Sequence, residues 1–177
     1  MTRTPRRLRR FWRREDGTAT VEFVLTVPVL LMVFMASLES GLLMTRYISL
    51  ERAVDMTVRN LRLGQYPNPT HDLLKREICG RTSVLVDCTN AIRIELVPVD
   101  TATWNLPSTR VGCVDRADED IDPVIEVNPG QPNDLMLVRV CIVQDALFPT
   151  SGIGLRLPKD ADGGYGLLAL SSFANEP

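Results

Sequence analysis

Arg13-Arg14-Glu15-Asp16-Gly17-Thr18-Ala19-Thr20-Val21-Glu22-Phe23 decides how this 177-residue chain is organised. A basic leader ends in Gly17, and an apolar segment starts at once. One carboxylate, Glu22, lies five residues past the glycine. A charge inside a membrane-spanning run costs about 2.5–3.5 kcal/mol on insertion scales, so a compensating partner is expected. The run from Phe23 to Leu38 is almost wholly apolar. With Thr18–Glu22 before it and Ser40–Thr45 after it, a helix there is about 40 Å long, enough to cross a hydrocarbon core of about 30 Å.

Charge is distributed unevenly. Residues 1–17 hold seven arginines and two acids, a net +5. The whole chain is −2, so the remainder carries −7. Nucleic-acid binding wants a basic face on the folded domain, and this pattern opposes it. An arginine-rich RNA-binding arm is the competing reading of the leader, and the apolar run directly after it argues against that. Arginines before an apolar run instead hold the N-terminus on the cytoplasmic side and send the rest of the chain across. A removable signal peptide needs small residues at −1 and −3 after the apolar region. Cutting after Ala36 puts Phe34 at −3, and cutting after Ser40 puts Leu38 there. A retained single-pass anchor is therefore expected. The later run Leu135–Val143 is short and contains Arg139.

The layout of charged leader, glycine and carboxylate resembles the type IV prepilin-like proteins. More closely, Gly17-Thr18-Ala19-Thr20-Val21-Glu22-Phe23-Val24-Leu25-Thr26-Val27-Pro28-Val29-Leu30-Leu31 is similar to the TadE-like minor pseudopilins of the tight-adherence (Tad, or Flp) pilus system. The resemblance runs on through Glu39-Ser40-Gly41 and the amphipathic segment to Gly64, and Asn175-Glu176-Pro177 resembles the family's C-terminal ending. It implies that a prepilin peptidase cuts between Gly17 and Thr18, and that Glu22 and Pro28 serve helix register in assembly. It further implies a bacterial inner-membrane location with the C-terminal domain periplasmic, and possible entry into the pilus. The implied partners are the membrane, the peptidase, the inner-membrane Tad platform proteins and secretion ATPase, the major Flp pilin and a second pseudopilin. Trimming would make Thr18 a free amino terminus. Its ammonium would then pair with the Glu22 carboxylate on its own or a neighbouring chain.

Three segments are expected: a leader at 1–17, a long helix at 18–66 and an exported domain at 67–177. The helix is read as transmembrane over about 20–45 and amphipathic over about 46–65. In its second half Tyr47, Leu50, Val54, Val58 and Leu61 recur at spacings of three and four, and Arg46, Glu51, Arg52, Asp55, Arg59 and Arg62 fill the other faces. Gly64 and Tyr66-Pro67-Asn68-Pro69 end it. Pro28 removes the hydrogen bond to the Val24 carbonyl. Thr70 to Ile78 reads as a short helix with Leu73, Leu74 and Ile78 inward, and Val84–Val86 as a turn or short strand. Ile92–Val99 alternates as a strand, and Leu135–Val143 is the strongest one. Thr101–Asn133 is rich in Pro, Asp, Asn and Gly and reads as irregular, with room for a strand at Val124–Val127. Pro149–Gly154 and Lys159–Gly164 read as turns, and Tyr165–Phe173 as the last strand. The fold class is α+β, a helix-backed antiparallel sheet of three or four strands.

Cys79, Cys88, Cys113 and Cys141 all lie beyond the apolar run. An even number on the oxidising side favours two disulfides, and Cys79–Cys88 with Cys113–Cys141 links neighbouring elements. Zinc is the rival, but zinc sites show closely spaced cysteine pairs. No metal, cofactor or catalytic residue is expected. The single histidine, His71, sits beside Asp72 at a helix start and suits a solvated or capping role. Asp115, Asp118-Glu119-Asp120 and Asp122 lack the glycine and terminal Glu of a calcium loop and read as solvated. Gly152-Ile153-Gly154 and Gly163-Gly164 are too short for phosphate loops. Trp104 reads as a satellite hydrophobic contact. A non-enzymatic pseudopilin is the first functional reading, and an uncleaved membrane-anchored periplasmic enzyme or sensor the second.

Overall fold

The computed structural model describes residues 18–104, 106, 112–114, 116, 126–150, 152–160 and 162–176. The leader with Gly17, the acidic cluster Asp115, Asp118, Glu119, Asp120 and Asp122, and Val124 of the possible strand lie outside the described residues.

A single helix, α1 (Thr18–Arg62, 45 residues), runs from the apolar segment into the domain. Its end is chemically defined. The Gly64 N–H reaches the Leu61 carbonyl and the Gln65 N–H reaches the Asn60 carbonyl, with Gly64 at φ +66°. That is a Schellman stop, which needs the left-handed backbone that glycine adopts without strain. After the proline-rich turn comes α2 (His71–Gly80), whose first turn is capped by the Thr70 hydroxyl accepting from the Leu73 N–H. A four-residue helix, α3 (Cys88–Ala91), leads into β1 (Ile92–Val99). The chain then crosses to β2 (Leu135–Asp145), forms α4 (Gly152–Arg156) and finishes in β3 (Gly164–Ala174).

The sheet is an antiparallel meander of three strands in the order β1-β2-β3. Period-two alternation turns Ile92, Ile94 and Leu96, then Met136, Val138, Val140 and Ile142, then Tyr165, Leu167, Ala169 and Phe173 onto one face. Leu50, Val54, Val58 and Leu61 of α1 cover that face, and Leu74 and Ile78 of α2 close the core. The fold is therefore α+β. β2, paired on both sides, has the longest buried run. Pro98 is accommodated because β1 is an edge. Among the described residues, the outer side of that edge meets a single bridge at Val127, where the Leu96 N–H donates to the Glu126 carbonyl and the Asn128 N–H to the Leu96 carbonyl.

Two details of α1 differ from the sequence reading. The spacing places Arg46 on the polar faces, yet it is 7 % exposed, and Tyr47 inward, yet it is 36 % exposed. The predicted Leu50, Val54, Val58 and Leu61 are all buried, and the stripe widens to take in Glu39, Arg46, Ala53 and Thr57 while leaving Tyr47 outside. The turn-rich reading of Pro149–Gly154 also missed α4. Its glycines serve close packing. A methyl group on Gly154 would meet the Phe148 carbonyl oxygen at 2.3 Å, and one on Gly152 would lie 3.5 Å from the Ala36 Cβ. Tertiary contact overrides the low helix propensity of glycine here.

Candidate assembly helix and its grip on the domain

The N-terminal half of α1 is bare. Val21, Phe23, Leu25, Leu30 and Val33 are all more than half exposed. Its most apolar 18-residue window has a mean hydropathy of 2.3 with no buried residue. Among the described residues, α1 is the one helix long and apolar enough to cross a membrane. A soluble core helix of that composition would be buried; among the described residues, none of this window is. Glu22 lies exposed on this surface, one turn after Thr18 in the same helix. The helix is continuous through Pro28, and the Thr26 hydroxyl donates back to the Glu22 carbonyl at 2.8 Å.

The domain takes hold lower on α1 than the charge pattern suggested. Glu39 is 1 % exposed, and its carboxylate accepts the backbone N–H of Leu147 at 3.2 Å and of Phe148 at 2.8 Å. Two turns on, the Arg46 guanidinium donates to the Asp145 carbonyl at 2.7 Å and to the Tyr165 hydroxyl at 2.8 Å. Tyr165 is itself buried. Both groups would be expensive to bury alone: Glu39 is met by the segment that leaves β2, and Arg46 by the end of β2 together with Tyr165 of β3. Sequence reasoning missed this pair as functional residues. The available signal was two charges seven residues apart, hence nearly on one helix face, at the border of an apolar run.

At the same end of the sheet Arg116 makes a two-pronged pair with Asp145, at 2.8 and 3.2 Å, and reaches Asp160 at 3.7 Å. The Arg116 hydrogen bond holds the Asp145 carboxyl below its ordinary value, and the same bond raises the arginine. A carboxylate with a depressed folded pKa stabilises the fold fully above its unfolded pKa, and the contribution is lost as pH falls through the folded value. Acidification below about pH 4 is therefore expected to loosen this end of the sheet. Asp145→Asn, followed by near-ultraviolet circular dichroism during acid titration, should flatten that part of the transition. An unchanged acid profile would remove Asp145 from the account.

Both disulfides join the pairs preferred from sequence, Cys79–Cys88 and Cys113–Cys141, with Cα separations of 5.7 and 5.3 Å. The first ties α2 to α3, and the second fixes the long β1–β2 connection to the central strand. Each is worth about 2–4 kcal/mol, the longer loop the more. All four thiols are engaged, so they are withdrawn from metal binding. Among the described residues no three His, Cys, Asp or Glu side chains cluster as metal ligands. His71 does more than sit in solvent: its Nε2 accepts the Ile94 N–H of β1 at 3.3 Å. Trp104 is 63 % exposed with φ +52°, so it is not the satellite contact expected.

Residues 17–59 match the family model of TadE-like proteins. No curated protein matches the chain, and no solved structure does. The TadE-like stretch begins at the glycine of the expected cleavage site and takes in Glu22, Pro28, Glu39 and Arg46. It ends within the last turn of α1. It thus covers the bare apolar half and the grip, and stops short of the sheet. The TadE-like match and the one helix long and apolar enough to cross a membrane among the described residues fall on the same segment.

Proposed function

We propose that this protein is a minor pseudopilin of a Tad-type pilus, made as a precursor in the inner membrane and trimmed after Gly17. The observation that carries this reading is the coincidence of the TadE-like match with a bare apolar helix bearing Glu22 one turn after Thr18. Gly17 has no side chain, so a peptidase can approach the scissile backbone closely. Trimming frees the Thr18 amino group. The Glu22 carboxylate then has an ammonium partner in low dielectric, within its own helix or on a neighbouring one, and the pairing selects axial register. The domain, held together by its disulfides, faces the periplasm at the pilus base or tip. Its role is structural rather than catalytic. The major Flp pilin, a second pseudopilin, the platform proteins and the secretion ATPase are its partners.

The Gly17→Leu variant tests the reading at its first step. The untrimmed precursor is expected to accumulate in membranes, while wild type yields a chain starting at Thr18 by mass measurement. Equal mature masses for the two would place the cleavage elsewhere. An intact leader in wild type would favour the uncleaved membrane-anchored protein instead.

A further inference from the structure

The segment after β2 does not turn straight back into the sheet. It descends along α1. Asp145 meets Arg46, Leu147 and Phe148 meet Glu39, and Gly152 meets Ala36. From Arg46 to Ala36 that is ten residues of helix, a descent of about 15 Å. Ala36 belongs to the apolar run Phe23–Leu38. Measured from Thr18 it stands about 27 Å up the helix, close to the outer boundary of a hydrocarbon core of about 30 Å. The lowest part of the domain is therefore level with the lipid.

The composition of that part fits its depth. Leu147 is 54 % exposed and Leu155 64 % exposed, both unsheltered by the domain. Arg156, the last residue of α4, is exposed beside Leu155. Lys159 is turned back and donates to the Pro149 carbonyl at 2.6 Å, which closes the base of the loop. Apolar side chains at the tip with a cation behind them match an interfacial membrane contact: the leucines enter the acyl boundary and the arginine stays among the phosphates.

We infer that the β2–β3 connection, through Leu147, Leu155 and Arg156, inserts into the outer interface of the phospholipid bilayer that holds α1. The domain thereby gains a second membrane contact beside its own helix and stands at a fixed height and tilt. This rests on the reading of α1 as a membrane span, and the experiment separates the two. Trp12 and Trp104 are first replaced by phenylalanine in the full chain. Single tryptophans are then introduced as Leu155→Trp, Leu147→Trp, Phe34→Trp or Leu63→Trp. Each variant is reconstituted into phosphatidylcholine–phosphatidylglycerol vesicles carrying bromine at defined acyl depths. Quenching by about half is expected at 147 and 155, strongest with bromine near the glycerol end of the acyl chain, where an interfacial side chain rests. Phe34→Trp should be quenched deeper, and Leu63→Trp, at the far end of α1, not at all. Quenching at position 34 without quenching at 147 and 155 overturns the loop contact alone. Loss of quenching at 34 overturns the membrane span itself. Two further loop results also count against lipid: quenching at 147 and 155 equal to that at 63, or quenching that appears only when a second pilin chain is present.

Discussion

Glu22→Ala is expected to abolish surface pili and surface adherence when the variant replaces the wild-type chain at native expression, while leader removal and the domain fold persist. The carboxylate sits on the bare half of α1, far from the sheet and its core. Removing it relieves an insertion cost of up to about 2.5–3.5 kcal/mol, so membrane insertion should not suffer. What is lost is the acceptor for the Thr18 ammonium. Without it one helix can slide against the next with no polar contact to choose a register. The readouts are piliation, adherence and the mass of the mature chain, scored together. Normal piliation would refute the pairing. Failure of trimming would move Glu22 to recognition by the peptidase.

Glu39→Ala is expected to destabilise the chain by about 2–4 kcal/mol, since it strands two N–H groups at about 1–3 kcal/mol each. The carboxylate is itself costly to bury, so its removal has a compensating side. The sign is decided by what stays behind: the Leu147 and Phe148 amides remain in place without an acceptor. Glu39→Gln keeps one acceptor oxygen and should lose less. Thermal unfolding in detergent micelles gives the magnitude, and hydrogen exchange at residues 147 and 148 gives the location. An alanine variant that melts like wild type, with unchanged exchange at those two amides, would show that the grip lies elsewhere. A large effect confined to those amides would support it.

The fold was legible where local pattern and tertiary need agree. The alternation of Ile92–Val99 and the continuous apolar run of Leu135–Val143 set two strands correctly, because a half-buried edge writes its face into every second residue while a central strand is buried along most of its length. The helix boundaries followed from Gly64 and Thr70, whose chemistry is local. What escaped depends on partners far along the chain. Arg46 reads as a solvent-facing charge until Tyr165 and Asp145 are placed beside it, 119 and 99 residues away. Glu39 stands in the sequence only as part of the resemblance through Glu39-Ser40-Gly41, and its role shows once the loop after β2 is seen to reach it. Gly152 and Gly154 read as turn-formers, whereas the close approach of Ala36 and Phe148 explains them. Of the expected site, Glu22, Pro28 and the cysteines are in described positions, and Gly17 is not.

The uninterrupted path of α1 from Glu22 to Glu39 converts a sequence interval into an angle. Seventeen residues at about 100° each leave the two carboxylates about 100° apart around the helix axis, a little over a quarter of a circumference. The domain holds the Glu39 side, so a neighbour drawn to Glu22 arrives from another compass bearing. Docking a second helix then does not compete with holding the first domain. Because the helix is continuous between the two carboxylates, the proposed pairing at Glu22 would also dictate where each successive domain hangs in a pilus built from such helices. An inserted or deleted residue between Glu22 and Val33, below the contact of Ala36 with Gly152, would swing the domain by about 100° without altering a contact inside it.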